Sequence, residues 1–168
     1  MERGYDGLTV DGVARRAGVY RRWGDVAGLL AGLLDAATDD GWEPPDTGSF
    51  DNDLAALVRE VHDGFAGTGQ APLTAAVIAV SFRSPHVATA LRRFWLDRYS
   101  RSAAVVHRAV ARGELPADVD AQRLLIAATA PAYHHLVLLR DRPTVDELES
   151  YAHTVAVAAR TGAFLRRN

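Results

Sequence analysis

Residues 10–19 read Val10-Asp11-Gly12-Val13-Ala14-Arg15-Arg16-Ala17-Gly18-Val19. Val10, Val13, Ala14 and Ala17 recur at offsets of three and four, which gathers them on one face of a short helix. Thr9 stands just ahead with a side-chain oxygen able to cap the first amides. Gly18 follows, and glycine takes the left-handed conformation that ends a helix. A short helix with small residues on its inner face, closed by a glycine turn, has the form of the first helix of a helix-turn-helix. The next four residues, Tyr20-Arg21-Arg22-Trp23, are basic and aromatic and suit a DNA backbone. A plainer reading, a helical hairpin with a solvated arginine edge, satisfies the same periodicity.

The chain around this stretch has 168 residues, room for one large domain or a small domain plus a larger one. Hydrophobic residues make up 48%, ample for a core. No apolar run approaches the roughly 20 residues that span a bilayer, and no signal-peptide pattern opens the chain. With no cysteine there is neither a disulfide nor a thiolate metal site. These features lead us to expect a cytoplasmic protein that does not engage a membrane. A net charge of −2 argues against indiscriminate coating of nucleic acid. Residues 1–25 hold five arginines against four acids, so the amino-terminal end is the less acidic one.

Beyond the motif the pattern is helical throughout. Asp25 caps a helix carrying Val26, Leu29, Leu30, Leu33 and Leu34 to about Thr38. Residues 41–48, rich in turn formers, make a loop. Leu54, Leu57, Val58, Val61 and Phe65 mark a second amphipathic helix opening at Asp51. Pro72 to Phe82 is nearly all apolar; a buried strand fits Val77 to Val80, but no partner strand exists, so we assign helix. Ser84-Pro85 starts a long helix that Gly113 ends, on the order of 40 Å at ~1.5 Å per residue. Asp120 caps a helix through Leu124, Leu125, Ala128, Ala132, Leu136 and Leu139, with Pro131 expected to kink it. Thr144 and Glu147 form a capping box for a last helix carrying Leu148, Tyr151, Ala152, Val155, Ala159, Gly162 and Leu165.

Gly4-Tyr5-Asp6-Gly7-Leu8-Thr9-Val10, Val13 through Val19, and Tyr20-Arg21-Arg22-Trp23 together resemble the DNA-binding domain of TetR-family transcriptional regulators. Gly113-Glu114-Leu115, Val119-Asp120 and Pro131-Ala132-Tyr133 resemble the carboxy-terminal halves of actinobacterial members. The resemblance implies an all-α fold. A helix-turn-helix head of three helices occupies residues 1–25, and a helical effector-binding and dimerisation domain occupies 26–168. Two departures stand out. Only Met1-Glu2-Arg3 precede Gly4, where the family has a further helix. Val19 abuts Tyr20, where the family has roughly five more residues forming the turn and half of the recognition helix. We expect segments omitted from the chain rather than a natural deletion, which would leave too little for a recognition helix. Val26 also stands where the family often has a phosphate-touching lysine.

Signatures of catalysis are missing from the sequence. It has no Gly-rich phosphate loop, no Gly-x-Ser-x-Gly and no His-Glu-x-x-His, so neither an enzyme, a metal nor a cofactor is expected. His134 and His135 are adjacent, and neighbours on a helix point about 100° apart, too far to clasp one metal. The aromatic residues carry more. Phe65, Phe82, Phe94, Trp95, Tyr99 and Tyr133 fall on the middle helices, where the resemblance places an effector cavity. Polar anchors for that cavity come from His62, Arg98, Tyr99, His107 and His134. Simple core filling is the alternative for each aromatic residue. The lining holds few acids, which argues against a multiply charged cation as effector.

The expected function is a ligand-responsive repressor, released from a palindromic double-stranded DNA operator by a small apolar molecule. The alternative is a helical ligand-binding or scaffold protein that does not bind DNA. Thr9 offers a phosphate its backbone amide, and Tyr20 with Arg21 or Arg22 holds phosphates. The last two helices, about 120–140 and 144–165, are rich in small apolar residues and are expected to pair two copies as a four-helix bundle. That pairing would set two recognition helices about 34 Å apart. Replacing Arg21 and Arg22 by alanine together is predicted to weaken binding to every duplex and to reduce the salt slope by about two. A slope left unchanged in a binding titration would remove both residues from the interface.

Overall fold

The computed structural model describes residues 25–38, 40–66 and 70–166. The helix-turn-helix motif, with Thr9, Tyr20, Arg21 and Arg22, lies outside the described residues. Among the described residues the chain is helical, apart from one isolated antiparallel bridge between Val119 and Leu165. In chain order the elements are α1 (Val26–Thr38), α2 (Phe50–Ala66), α3 (Gln70–Ser81), α4 (Pro85–Ala111), α5 (Ala121–Tyr133), a π-helical segment (His134–Leu139) and α6 (Val145–Arg160). Two compact units divide them, one including residues up to Gly41 with 76–95, the other 42–75 with the rest.

Local sequence sets the element ends. The Asp25 carboxylate accepts from the Gly28 amide at 2.7 Å, one of the amides that α1 itself cannot pair. At the start of α4, the Ser84 hydroxyl accepts from the Val87 amide, and Pro85 takes the first helical position, where its missing N–H leaves nothing unpaired. Gly113, at φ +75°, ends α4 in a Schellman turn. Its amide donates to the Val110 carbonyl and that of Glu114 to Ala109, both at 2.9 Å. Asp120 caps α5 through the Arg123 amide, and the Thr144–Glu147 capping box is complete in both directions. The apolar run that begins at Pro72 is helical, as expected, and forms α3, which ends at Ser81 just before Phe82.

In the unit that contains α1, Leu30, Val77 and Val87 form the core, with Val26, Ala27, Leu34, Val80 and Leu91 packed around them. Asp35 on α1 pairs with Arg93 on α4. The other unit has the larger core. Leu54, Leu57 and Val58 of α2, Val105, Val106 and Ala109 of α4, Leu124, Leu125, Ala128 and Ala132 of α5, and Leu148, Ala152, Ala156 and Ala159 of α6 are all buried in it. Helices α2, α5 and α6 pack directly on one another. The small residues on α5 and α6 let those axes approach closely.

Two sequence expectations change here. The last helix stops at Arg160 and does not reach Leu165. Gly162, at φ +84°, turns the chain, and residues 164–166 run back along 118–120. The Asp120 amide donates to the Phe164 carbonyl at 2.7 Å and the Arg166 amide to Asp118 at 3.1 Å. Secondly, the stripes of α5 and α6 read as a pairing surface fill this chain's own core. Leu124, Ala128, Ala132, Leu148, Ala152 and Ala159 are buried without a second copy. Pro131 breaks the regular ladder, as expected for a residue with no amide to donate. The helix continues past it with widened π turns up to Arg140, which is left-handed at φ 56°.

Glu114 joins the end of α4 to the start of α2. Its carboxylate accepts from the Phe50 amide at 2.7 Å and pairs with Arg112. The Arg112 hydrogen bond, then the Phe50 amide, hold this carboxyl below the usual carboxylate range. A carboxyl with a depressed folded pKa stabilises at neutral pH and loses that contribution as pH falls through the carboxylate range. Glu114→Gln should therefore lower the urea midpoint at pH 7, with the gap to wild type narrowing below about pH 4. A gap that stayed constant down to acid pH would contradict the role given to the Glu114 charge.

Candidate functional site

Aromatic and cationic side chains gather in the larger unit where residues 42–46 meet α4. Trp42 is their centre. Its indole N–H donates to Glu60 on α2 at 3.2 Å. The Arg98 and Arg101 guanidinium groups of α4 lie 5.2 and 5.8 Å from the ring centroid, within cation–π range. Arg101 also donates to the Trp42 carbonyl at 3.2 Å and pairs with Asp97 one turn back. Further along α4, Arg108 donates to the Pro45 carbonyl and meets Asp46 at 3.4 Å. The fully buried Asp53 of α2 accepts from the Thr47 amide and hydroxyl at 2.5 and 2.7 Å. Arg98, Arg101 and Arg108 recur at helical spacing, with Arg112 just beyond the last turn, so one side of α4 meets this segment and its anchors.

Tyr133, at the end of α5, is close enough to Tyr99 and Arg98 to feel both electrostatically. Burial pushes its hydroxyl well above the usual phenol range; Tyr99 adds to the shift and Arg98 opposes it. The group therefore stays a neutral hydroxyl at any physiological pH. It can donate or accept a hydrogen bond, but it is no base or nucleophile.

The sequence candidates are distributed as follows. Arg98, Tyr99 and Tyr133 all belong to the larger unit. Phe94 and Trp95 stack edge to face, ring centres 5.0 Å apart, in the smaller one. Phe82 follows the last turn of α3 and is 87% exposed. His107 and His134 are exposed as well. The side chain of Phe65 lies outside the described residues. His62 is nearly covered, with Nδ1 3.1 Å from the Asp63 carboxylate. His135 turns from its neighbour, the two rings lying at 85°; its Nδ1 meets Asp141 at 2.7 Å and its Nε2 meets the Tyr151 hydroxyl at 3.3 Å. Among the described residues no three groups are arranged to hold a metal ion. No described helix is long and apolar enough to cross a membrane. Trp42 was not among the candidates. Its only sequence signal is an aromatic residue in a proline-rich loop.

The likeness to known proteins runs through this region. Residues 44–155 match the family model of the tetracyclin repressor-like C-terminal domain. The HTH-type transcriptional regulator AqdR of Rhodococcus erythropolis is 35% identical over 153 residues, covering 85% of this chain and 72% of that protein. The DNA-binding transcriptional repressor TetR of Mycobacteroides abscessus is 33% identical over 147 residues, covering 80% and 74%. Among solved structures, the TetR family transcription regulator SCO0332 has the same fold, with a TM-score of 0.69 at 24% identity over 90% of this chain and 86% of that one.

A spectrophotometric titration checks the setting of Tyr133. Raised ionisation of Tyr133 should leave part of the tyrosinate absorbance as a late remainder that appears only when alkali unfolds the protein. Tyr133→Phe should remove that late remainder and leave the early part intact. Loss of early absorbance would place Tyr133 in solvent.

Proposed function

The chain belongs to the TetR family of transcriptional regulators, and from that premise we propose that it is a repressor whose grip on an operator is loosened by a small apolar molecule. The observation that carries this reading is that the likeness extends through the helical body, residues 44–155, and is not confined to the amino-terminal motif. In this reading the head, residues 1–25, meets DNA through Thr9, Tyr20, Arg21 and Arg22. The body, 26–168, takes the effector and joins two copies in the cytoplasm.

Since the inner stripes of α5 and α6 are used within the chain, pairing of two copies falls to their outer residues. Ile126, Leu138, Leu139, Val145 and Val157 are 42, 69, 53, 56 and 46% exposed, all on these helices or at their adjoining π segment. Large apolar side chains left in water in such number support a partner copy. The aromatic and polar groups at Trp42, Arg98, Tyr99 and Tyr133 support an effector with an aromatic or aliphatic body and few charges. Coupling of about 1–3 kcal/mol between the two sites is enough for a useful switch.

Fluorescence anisotropy with duplexes from the region upstream of the protein's own gene tests the proposal. One palindromic duplex should bind at least about 10³-fold more tightly than a scrambled one. Light scattering of the free protein should give a dimer mass. Equal binding of all duplexes would favour the helical binding protein that does not read DNA. A monomer mass would remove the paired operator.

A further inference from the structure

From Gly64 to Leu96 the chain has no aspartate or glutamate, yet it carries Arg83, Arg92 and Arg93. The chain as a whole is at −2, so this stretch is an island of positive charge in an acidic protein. The fold concentrates it further. At about 100° per residue, Pro85, His86, Thr89, Arg92 and Arg93 share one side of the first turns of α4, and all five are exposed. Val87 and Ala90, on the other side, are buried. Arg83 is exposed in the turn just before the helix. Arg93 pairs with Asp35 of α1. The guanidinium groups of Arg83 and Arg92 have no ion pair or hydrogen bond among the described residues. All these residues fall in the smaller unit.

We propose that this face of α4, through Arg83 and Arg92, is a second contact with the DNA backbone, separate from the helix-turn-helix head and blind to base sequence. It rests on the DNA-binding reading above and adds to it. The partner must be anionic, because the face offers cations and no acid. It must also be extended. Pro85 and Arg92 are ~10 Å apart along the helix axis, and a duplex carries a charge every ~1.7 Å of its own axis, so several phosphates lie within that reach. An anionic membrane surface fits less well. Apart from Phe82, 87% exposed beside Arg83, the residues between the cations are Pro85, His86 and Thr89, which offer no apolar stripe to enter lipid. Contacts of this kind add affinity and salt dependence and leave the choice of sequence to the head.

Titration of the full chain and of the double variant Arg83→Gln, Arg92→Gln tests this. The palindromic duplex and a scrambled one are each extended by one helical turn, about 10 base pairs, at both ends. Salt is varied between about 50 and 200 mM. The variant should lose about two from the salt slope on both duplexes. Its affinities for the two should fall by the same factor, so that the preference for the palindrome is kept. Its urea midpoint should match the wild type, since both side chains are exposed. An unchanged slope, or a loss confined to the palindromic duplex, would overturn the proposal. So would wild-type binding to vesicles of anionic phospholipid that the variant loses while its duplex binding is untouched. In each of these outcomes the wild type still binds its operator. A wild type that binds no duplex would instead remove the regulator reading, and the second contact with it.

Discussion

The larger unit depends on a close-packed seam of alanines. Ala128 and Ala132 of α5 and Ala152, Ala156 and Ala159 of α6 are all at most 2% exposed. Alanine loses no side-chain entropy on burial and brings helix axes close enough for the leucines beside it to interlock. Leu54 and Leu57 of α2, Leu124 and Leu125 of α5 and Leu148 of α6 fill the space that the seam defines. Protein interiors are packed like crystals, so such a seam tolerates little added volume. The candidate effector-site residues of the larger unit belong to helices that share its core. Arg98, Tyr99 and Arg101 project from α4, whose Val105, Val106 and Ala109 are in the same core. Tyr133 closes α5, and His62 extends from α2.

That arrangement leaves the outer faces of α5 and α6 for other work. A helix has one stripe to bury in its own core, and here the strongest stripes are already committed. The exposed set of Ile126, Leu138, Leu139, Val145 and Val157 is a different and sparser one. The π turns after Pro131 contribute to it, since a widened turn rotates Leu138 and Leu139 away from the direction a regular helix would give them.

Sequence reading succeeded where the determinant was local. Asp25, Pro85, Gly113, Asp120 and the Thr144–Glu147 pair mark helix ends because a cap needs only the neighbouring three or four residues. It fell short where the answer lay in another part of the chain. Whether Leu124 and Ala152 face a partner or their own core depends on which helices lie opposite, and periodicity is the same in both cases. The reach of the last helix was overestimated because Gly162 and the bridge from Leu165 to Val119 compete with continued winding, and that bridge is non-local. For the candidate site, the aromatic positions on α4 were legible as a group, but α4 contributes to two units along its 27 residues. Phe94 and Trp95 fall in one and Tyr99 in the other. Trp42 was missed because only the folded chain brings its ring under Arg98 and Arg101.

The alanine seam holds each chain together by itself. Thermal unfolding of Ala156→Leu across a wide range of protein concentrations tests it. Overpacking should remove about 1–3 kcal/mol and lower the melting temperature by the same amount at every concentration. If the variant instead kept its helical signal and melting temperature when dilute, and lost only its self-association, the seam would lie between chains and not within each one.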